Sequence, residues 1–412
     1  MRPQSVDEQT ALLMQGTEYG DETLKQSMTQ ELRQRLVESR ETGRPLRVYC
    51  GYDPTKPDLH LGHTITMRKL RQFQEFGHDV TFLIGDYTTL VGDPSDKDKL
   101  RPRLSSDEIR ANAATYAEQA FRILDREKTR IRYNSEWLST LSFAEVIRLS
   151  ANFTVQQFLA RERFALRVEQ GEPVYLHETL YGVMQGYDAV AQEADVQVGG
   201  SEQLFNIIVA GRKLQEVFGQ RPQVGVLLGI LPGTDGVLRM SKSTGNTIEI
   251  MSTAEDMYGK VMSLPDAAMP IYFRLVTRFA PGEIEDLEGR VQSGAVHPRD
   301  AKMRLAREIV DIYYGGDEAA RAEDSFRRVF QEGRAPESID ELVVPLGSSV
   351  AAVLETAGWV ASRSEARRLI DQGGVTLDGQ PVSSSSDIVD LTRPRLLRLG
   401  KRRHARLVAK DG

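Results

Sequence analysis

Residues 49–63 read YCGYDPTKPDLHLGH. The opening residues are apolar and aromatic, as a buried strand requires. The middle holds two prolines and two aspartates, as a loop requires. The end places two of the chain's six histidines three apart around a glycine. A strand passing through a loop into a helix N-terminus is a natural phosphate site, because free amide donors and the helix dipole point outward. A glycine there admits a nucleotide to the backbone, and imidazoles can donate to phosphate or ribose oxygens. Taken alone, the string also fits a zinc half-site or two surface histidines. No cysteine cluster or matching histidine–carboxylate pair exists to complete a zinc shell.

Outward from this stretch, strands and helices alternate. Residues 1–45 read as polar helix, and LRVYCGYD as the first strand, followed by a helix from about Leu61 to Phe76. DVTFLIGDY is a second strand, and helical periodicity then runs from Ser105 to Asp188 with a break at TRIRYN (129–134). DVQVGG, a helix from Glu202 and the apolar run VGVLLGILPG complete the pattern. Strands apolar on both faces and separated by helices predict a parallel sheet covered on both sides.

The chain has 412 residues, 40% hydrophobic and 27% charged, enough for two or three domains with substantial cores. No apolar run approaches a membrane span, and the polar N-terminus lacks the apolar core of a signal peptide. One cysteine excludes an internal disulfide framework and makes a reducing cytosol the expected home. Net charge is −6, yet residues 361–412 hold 11 Lys+Arg against 6 Asp+Glu. An acidic body with a small basic module suits nucleic-acid contact.

A second signal, RMSKS (239–243), lies just after the last predicted strand of the sheet. It is flanked by Gly236 and Gly245, and Arg239 and Lys242 can reach phosphate oxygens. Cations on such a loop suit charge that develops in a transition state, as when pyrophosphate departs. In YGVMQGYD, Tyr181, Gln185 and Asp188 fall at i, i+4 and i+7 of a helix and share one face. Gly182 and Gly186 flank that stripe, which makes sense if something lies close to the backbone.

Together, HLGH and RMSKS resemble the HIGH and KMSKS signatures of class I aminoacyl-tRNA synthetases, with Leu61 and Arg239 as the departures. YCGYDPT…HLGH, GDPSDKDKLR (92–101), YGVMQGYD (181–188) and VQVGGSEQ (196–203), in that order, resemble the bacterial tyrosyl-tRNA synthetases over nearly the whole chain. The resemblance implies an α/β Rossmann-like parallel sheet, then an α-helical domain and a small α+β S4-like domain. The implied boundaries are 1–238 with a helical insertion near 130–180, 239–331, a linker at 332–345, and 346–412. It also implies ATP with Mg2+, L-tyrosine and tRNA(Tyr) as reactants and a homodimer joined through the insertion.

By the same resemblance, Tyr49 and Asp188 meet the phenol hydroxyl of tyrosine. Asp93, Tyr181 and Gln185 hold its ammonium, and Gln203 lines the same pocket. Cys50 and Gly51 approach the nucleotide, Asp53 belongs with them, and Thr55, His60, His63 and Thr66 face triphosphate and ribose. Gly200 permits close approach, and Glu202, where aspartate is frequent in the family, takes the ribose hydroxyls. Lys97, Arg101, Lys242 and Ser243 attend the departing pyrophosphate, and Arg239 belongs with the residues that bind ATP. No resident metal site is implied, and no residue is an obvious general base.

The C-terminal piece opens with Ser362 three residues before Glu365, a helix-capping pattern, and GVTLDGQPV reads as a hairpin with an Asp-Gly turn. It resembles S4-type RNA-binding domains, which makes Arg363, Arg367, Arg368, Lys401, Arg402 and Arg403 the expected phosphate contacts. Two other classes remain open at this level: a nucleotidyltransferase acting without RNA, and a synthetase-like RNA-binding protein that has lost catalysis. The first leaves the YGVMQGYD stripe and the basic end unexplained. An intact motif set argues against the second.

Overall fold

Strand β1, Arg47–Tyr52, is buried along Val48–Cys50 and pairs in parallel on both sides. Its neighbours are β2, Asp79–Ile84, and β4, Val196–Gly200; β3, Thr129–Tyr133, and β5, Val224–Leu228, complete the sheet. The order is β3-β2-β1-β4-β5, all parallel, in a computed structural model that describes residues 5–55, 59–94, 105–331, 341–400 and 403–410. After β3 the chain crosses back beyond β1 to lay down β4 and β5. Adjacent connections therefore leave the carboxyl ends of β1 and β4 in opposite directions and open a crevice there.

β3 fills the stretch that the sequence marks only as a break in helical periodicity. It is an edge strand, and its arginines face outward: Arg130 pairs with Asp79 at 3.2 Å and Arg132 with Glu136 at 2.6 Å. Charges on an edge blunt further strand pairing, and the same charges hide the strand from a hydrophobicity reading. The helix expected from Glu202 begins as a tight turn, Ser201–Gln203. It widens to i→i+5 geometry over Phe205–Gly211 and becomes α-helical only at Arg212–Val217. Wide helical turns of this kind cluster at functional sites.

The chain divides into two compact units, residues 1–315 and 316–412. In the first, helices Ala254–Met262, Met269–Val276, Pro281–Gln292 and Pro298–Tyr314 follow the RMSKS loop. They brace the signature segments: Tyr272 donates to the Pro232 carbonyl at 2.7 Å, and Tyr313 to Thr64 Oγ1 at 2.8 Å. In the second unit, strands β6 (Glu341–Val344), β7 (Val375–Leu377), β8 (Gln380–Pro381), β9 (Arg395–Leu399) and β10 (Arg403–Ala409) form one sheet ordered β6-β10-β9-β7-β8. β6 lies in the stretch read from sequence as linker, and it pairs in parallel with β10. Helices Val350–Thr356 and Arg363–Asp371 cover a core that includes Val353, Leu354, Ile370, Leu397 and Leu407. Ser362 accepts from the Glu365 amide at 3.3 Å. Asp378 and Gly379 turn the hairpin with φ of +49° and +81°, the left-handed pair that a tight hairpin needs.

Candidate active site

A cavity of about 840 Å³ opens at the carboxyl ends of β1 and β4 and is lined by both signatures, with His60, His63 and Lys242 on its wall. Backbone pairing brings the two strings together. Leu61 donates to the Ile248 carbonyl at 2.9 Å and Ile250 to the Leu59 carbonyl at 3.3 Å, so the segment after the loop runs antiparallel to the approach to HLGH. His60 is the N-cap of helix Leu61–Glu75, and its amide donates to His63 Nδ1 at 3.3 Å, with the rings 3.9 Å apart. This is one half of a reciprocal helix cap, since the His63 amide donates to the His60 backbone carbonyl at 2.9 Å. The histidines thus shape the helix N-terminus while lining the cavity.

Acidic groups converge at the deep end. Asp188, 3% exposed on helix Leu176–Ala191, accepts from Trp137 Nε1 at 2.7 Å and from Asn134 Nδ2 at 3.3 Å. Burial pushes its carboxyl up to about 8 against those two bonds. Tyr49, 2% exposed, is driven well above the ordinary phenol range by burial and by the Asp188 charge. Its hydroxyl is buried without a hydrogen-bond partner among the described residues, as is Oε1 of Gln185. Buried polar atoms are normally paired, so both fit a polar ligand. Tyr181 donates to Asp53 at 3.1 Å, and Gln203 donates to Asp93 at 2.7 Å. Burial, then Asp53 and Asp93, raise the Tyr181 hydroxyl. A site with this charge favours a cationic ligand group.

Asp53, grouped with the nucleotide residues in the sequence reading, lies between the two ends: it accepts from Thr88 at 2.8 Å as well as from Tyr181. At the nucleotide end, Cys50, Gly51, Thr55, Thr66, Gly200 and Glu202 all line the cavity. Burial pushes the Cys50 thiol up to about 12, which leaves it unreactive. Thr66 shares a hydrogen bond of 2.8 Å with Tyr52. The space beside Gly200 is taken by the Glu202 carboxylate, which a Cβ there would strike, and burial raises that carboxyl. Gly182 and Gly186 do serve a close approach, but by protein. A Cβ at Gly186 would press on Ala210 at 3.1 Å, and one at Gly182 on Asn206 and Phe158 at 3.1 and 3.2 Å.

On the loop, Met240 is buried and anchors the chain, while Arg239 and Ser243 line the cavity. Lys242 stands 3.9 Å from Glu249. Lys97 and Arg101 lie outside the described residues, as do Lys401 and Arg402. In the second unit Arg363, Arg367 and Arg368 are exposed on one helix. Arg363 pairs with Glu355 at 3.0 Å, Arg367 donates to Ser385 at 3.3 Å, and Arg403 donates to the Trp359 carbonyl. Asn134, Trp137 and Thr88 were missed from sequence. The signal for the first two was YNSEWL, at the carboxyl end of the unrecognised strand β3.

A parallel sheet with its cavity at the switch point, flanked by HLGH on one side and RMSKS on the other, is the arrangement of class I aminoacyl-tRNA synthetases. Residues 41–331 match the family described as tRNA synthetases class I (W and Y), and residues 350–392 match the S4 domain. The chain belongs to the class I tRNA synthetases of the W and Y group. It is 48% identical to the tyrosine–tRNA ligase of Moorella thermoacetica, covering 92% of each chain, and 46% identical to that of Symbiobacterium thermophilum, covering 98% of each. In fold it is similar to a C-terminally truncated Aspergillus nidulans mitochondrial tyrosyl-tRNA synthetase (24% identity, TM-score 0.61, 79% of this chain and 94% of that one). It is likewise similar to tyrosyl-tRNA synthetase from Archaeoglobus fulgidus in complex with L-tyrosine (22% identity, TM-score 0.59, 77% and 100%).

Proposed function

We propose that the chain is a tyrosine–tRNA ligase, joining L-tyrosine to ATP as tyrosyl-adenylate with release of pyrophosphate and then passing tyrosine to the 3′ end of tRNA(Tyr). The observation that carries this reading is the buried Tyr49 and Asp188 pair at the deep end, with the Tyr49 hydroxyl unpaired. A phenol hydroxyl satisfies both groups, whereas phenylalanine leaves them buried and unpaired at a cost of about 1–3 kcal/mol or more. Asp93, Tyr181 and Gln185 take the ammonium, with Gln203 holding Asp93.

The tyrosine carboxylate attacks the α-phosphorus in line. One oxygen–phosphorus bond forms, the bond to the bridging oxygen breaks, and pyrophosphate leaves with its electron pair. The nucleophile is already ionised, so the protein's work is positioning and charge stabilisation. His60, His63, Thr55, Thr66 and Arg239 face ATP, Glu202 the ribose, and Lys242, Ser243, Lys97 and Arg101 the pyrophosphate. Mg2+ enters with ATP, held mainly by its phosphates.

Residues Phe143 and Leu176 of the insertion are 80% and 81% exposed, which supports a homodimer closed through that segment. The S4-like unit takes up tRNA through its exposed arginines, and the enzyme works in the cytoplasm. Pyrophosphate exchange into ATP, measured across the twenty amino acids, tests the reading. Exchange is expected with tyrosine, and exchange with tryptophan alone would overturn it.

A further inference from the structure

The RMSKS loop is held by a residue that the motif does not include. Asn246 is 5% exposed. Its Oδ1 accepts from the Ser241 amide at 2.8 Å and from Thr244 Oγ1 at 2.6 Å. Its Nδ2 donates to Asp235 Oδ2 and, at 3.3 Å each, to the carbonyls of Leu238 and Arg239. Its own carbonyl accepts from Thr234 at 2.9 Å. The side chain therefore joins Asp235 and Leu238, on the limb entering the loop, to Ser241 and Thr244, on the limb leaving it. Gly233 is part of this design, since a Cβ there would run into the Asn246 amide. The bond to Asn246 is also the leading reason that the Asp235 carboxyl is held below its ordinary range.

We infer that Asn246 is a positioning residue for adenylate formation, tying the two limbs of the loop so that Lys242 meets the departing pyrophosphate; this rests on the activity proposed above. Asn246 does not line the cavity and acts through its neighbours. Ser241, whose amide it fixes, immediately precedes Lys242, and Ser241 Oγ shares a 2.9 Å hydrogen bond with Ser243. Asparagine alone among side chains of this size supplies two donors and a two-lone-pair acceptor together. Aspartate keeps the shape but offers only acceptors, and would face the Asp235 carboxylate and two carbonyls. Alanine leaves the Ser241 amide and both carbonyls without this partner.

The test is single-turnover adenylate formation in the full-length chain with Asn246→Ala and Asn246→Asp, each alone and combined with Lys242→Ala, alongside tyrosine binding. Misplacing a reacting group by about an ångström costs on the order of 100-fold, so Asn246→Ala is expected to slow the step ~10–100-fold, and Asn246→Asp more, with tyrosine Kd within ~2-fold. In the Lys242→Ala background the further loss should fall below ~3-fold, because the residue through which Asn246 acts is gone. Multiplicative losses, or a tyrosine Kd that moves as far as the rate, would overturn the inference. If Asn246→Ala does not fold, Asp235→Ala carries the test: Asp235 is exposed, and an unchanged rate there rejects the clamp. A wild-type chain without tyrosine-dependent exchange would instead reject the activity itself.

Discussion

The indole Nε1 of Trp137 donates to Asp188 Oδ1 at 2.7 Å, from the short helix that follows edge strand β3. With Asn134 on Oδ2, it holds a buried carboxylate in one orientation and favours its charged form. Trp137→Phe keeps an aromatic wall and deletes the donor. Loss of one hydrogen bond to a charged group costs about 1.5–3 kcal/mol, so tyrosine affinity should fall by ~10- to 100-fold. Calorimetric titration checks this, and an unchanged Kd would mean that the bond does not support the pocket.

Burial pushes the Asp188 carboxyl up to about 8 in the absence of tyrosine. A phenol donating to it favours the charged form, so tyrosine binding should release protons below that pH and tighten as pH rises toward it. Folding stability takes the opposite sign. The folded-state pKa lies above the ~3.9 of an unfolded aspartate, so the group's contribution is full below pH ~4 and is lost as pH rises through about 8. Asp188→Asn should flatten both dependences in tyrosine titrations and thermal melts. A variant that retains the wild-type slopes would place the titrating group elsewhere.

Tyr49→Phe removes the unpaired hydroxyl while keeping the ring in its core of Leu83, Trp137 and Ala189. Its effect should fall on selectivity. Activation of tyrosine should drop by ~10-fold, and discrimination against phenylalanine should narrow by a similar factor, about 1.4 kcal/mol. The ratio of kcat/KM values for the two amino acids is the readout. Equal losses for both would show that this hydroxyl does not meet the phenol.

Removing the second unit's sheet and helices, from β6 onward, should leave tyrosyl-adenylate formation intact, because every cavity-lining residue precedes it. Transfer to tRNA should collapse under limiting tRNA. In the full chain, Arg367→Ala with Arg368→Ala should weaken tRNA binding and lower the salt slope by ~1 for each phosphate that an arginine no longer neutralises. Charging at the full-length rate by the truncated protein would show that this unit is not the tRNA anchor.

Local order was legible in the chain itself. The strand–loop–helix around HLGH, the alternation that makes a parallel sheet, the Ser362 cap and the Asp378-Gly379 hairpin all follow from periodicity and turn chemistry within a few residues. So does the shared face of Tyr181, Gln185 and Asp188, since helical spacing alone puts them together. Tertiary structure decided what those residues meet. β3 looks polar because an edge strand faces water, and without it Asn134 and Trp137 have no visible reason to approach Asp188, more than fifty positions away. Gly182 and Gly186 signal a close approach, yet only packing reveals that a neighbouring helix makes it. Asn246 looks like ordinary loop polarity until the chain doubles back and Asp235 arrives on the other limb. Periodicity encodes contacts between near neighbours, whereas the pairing of distant polar groups is settled only when burial leaves each of them with no other partner.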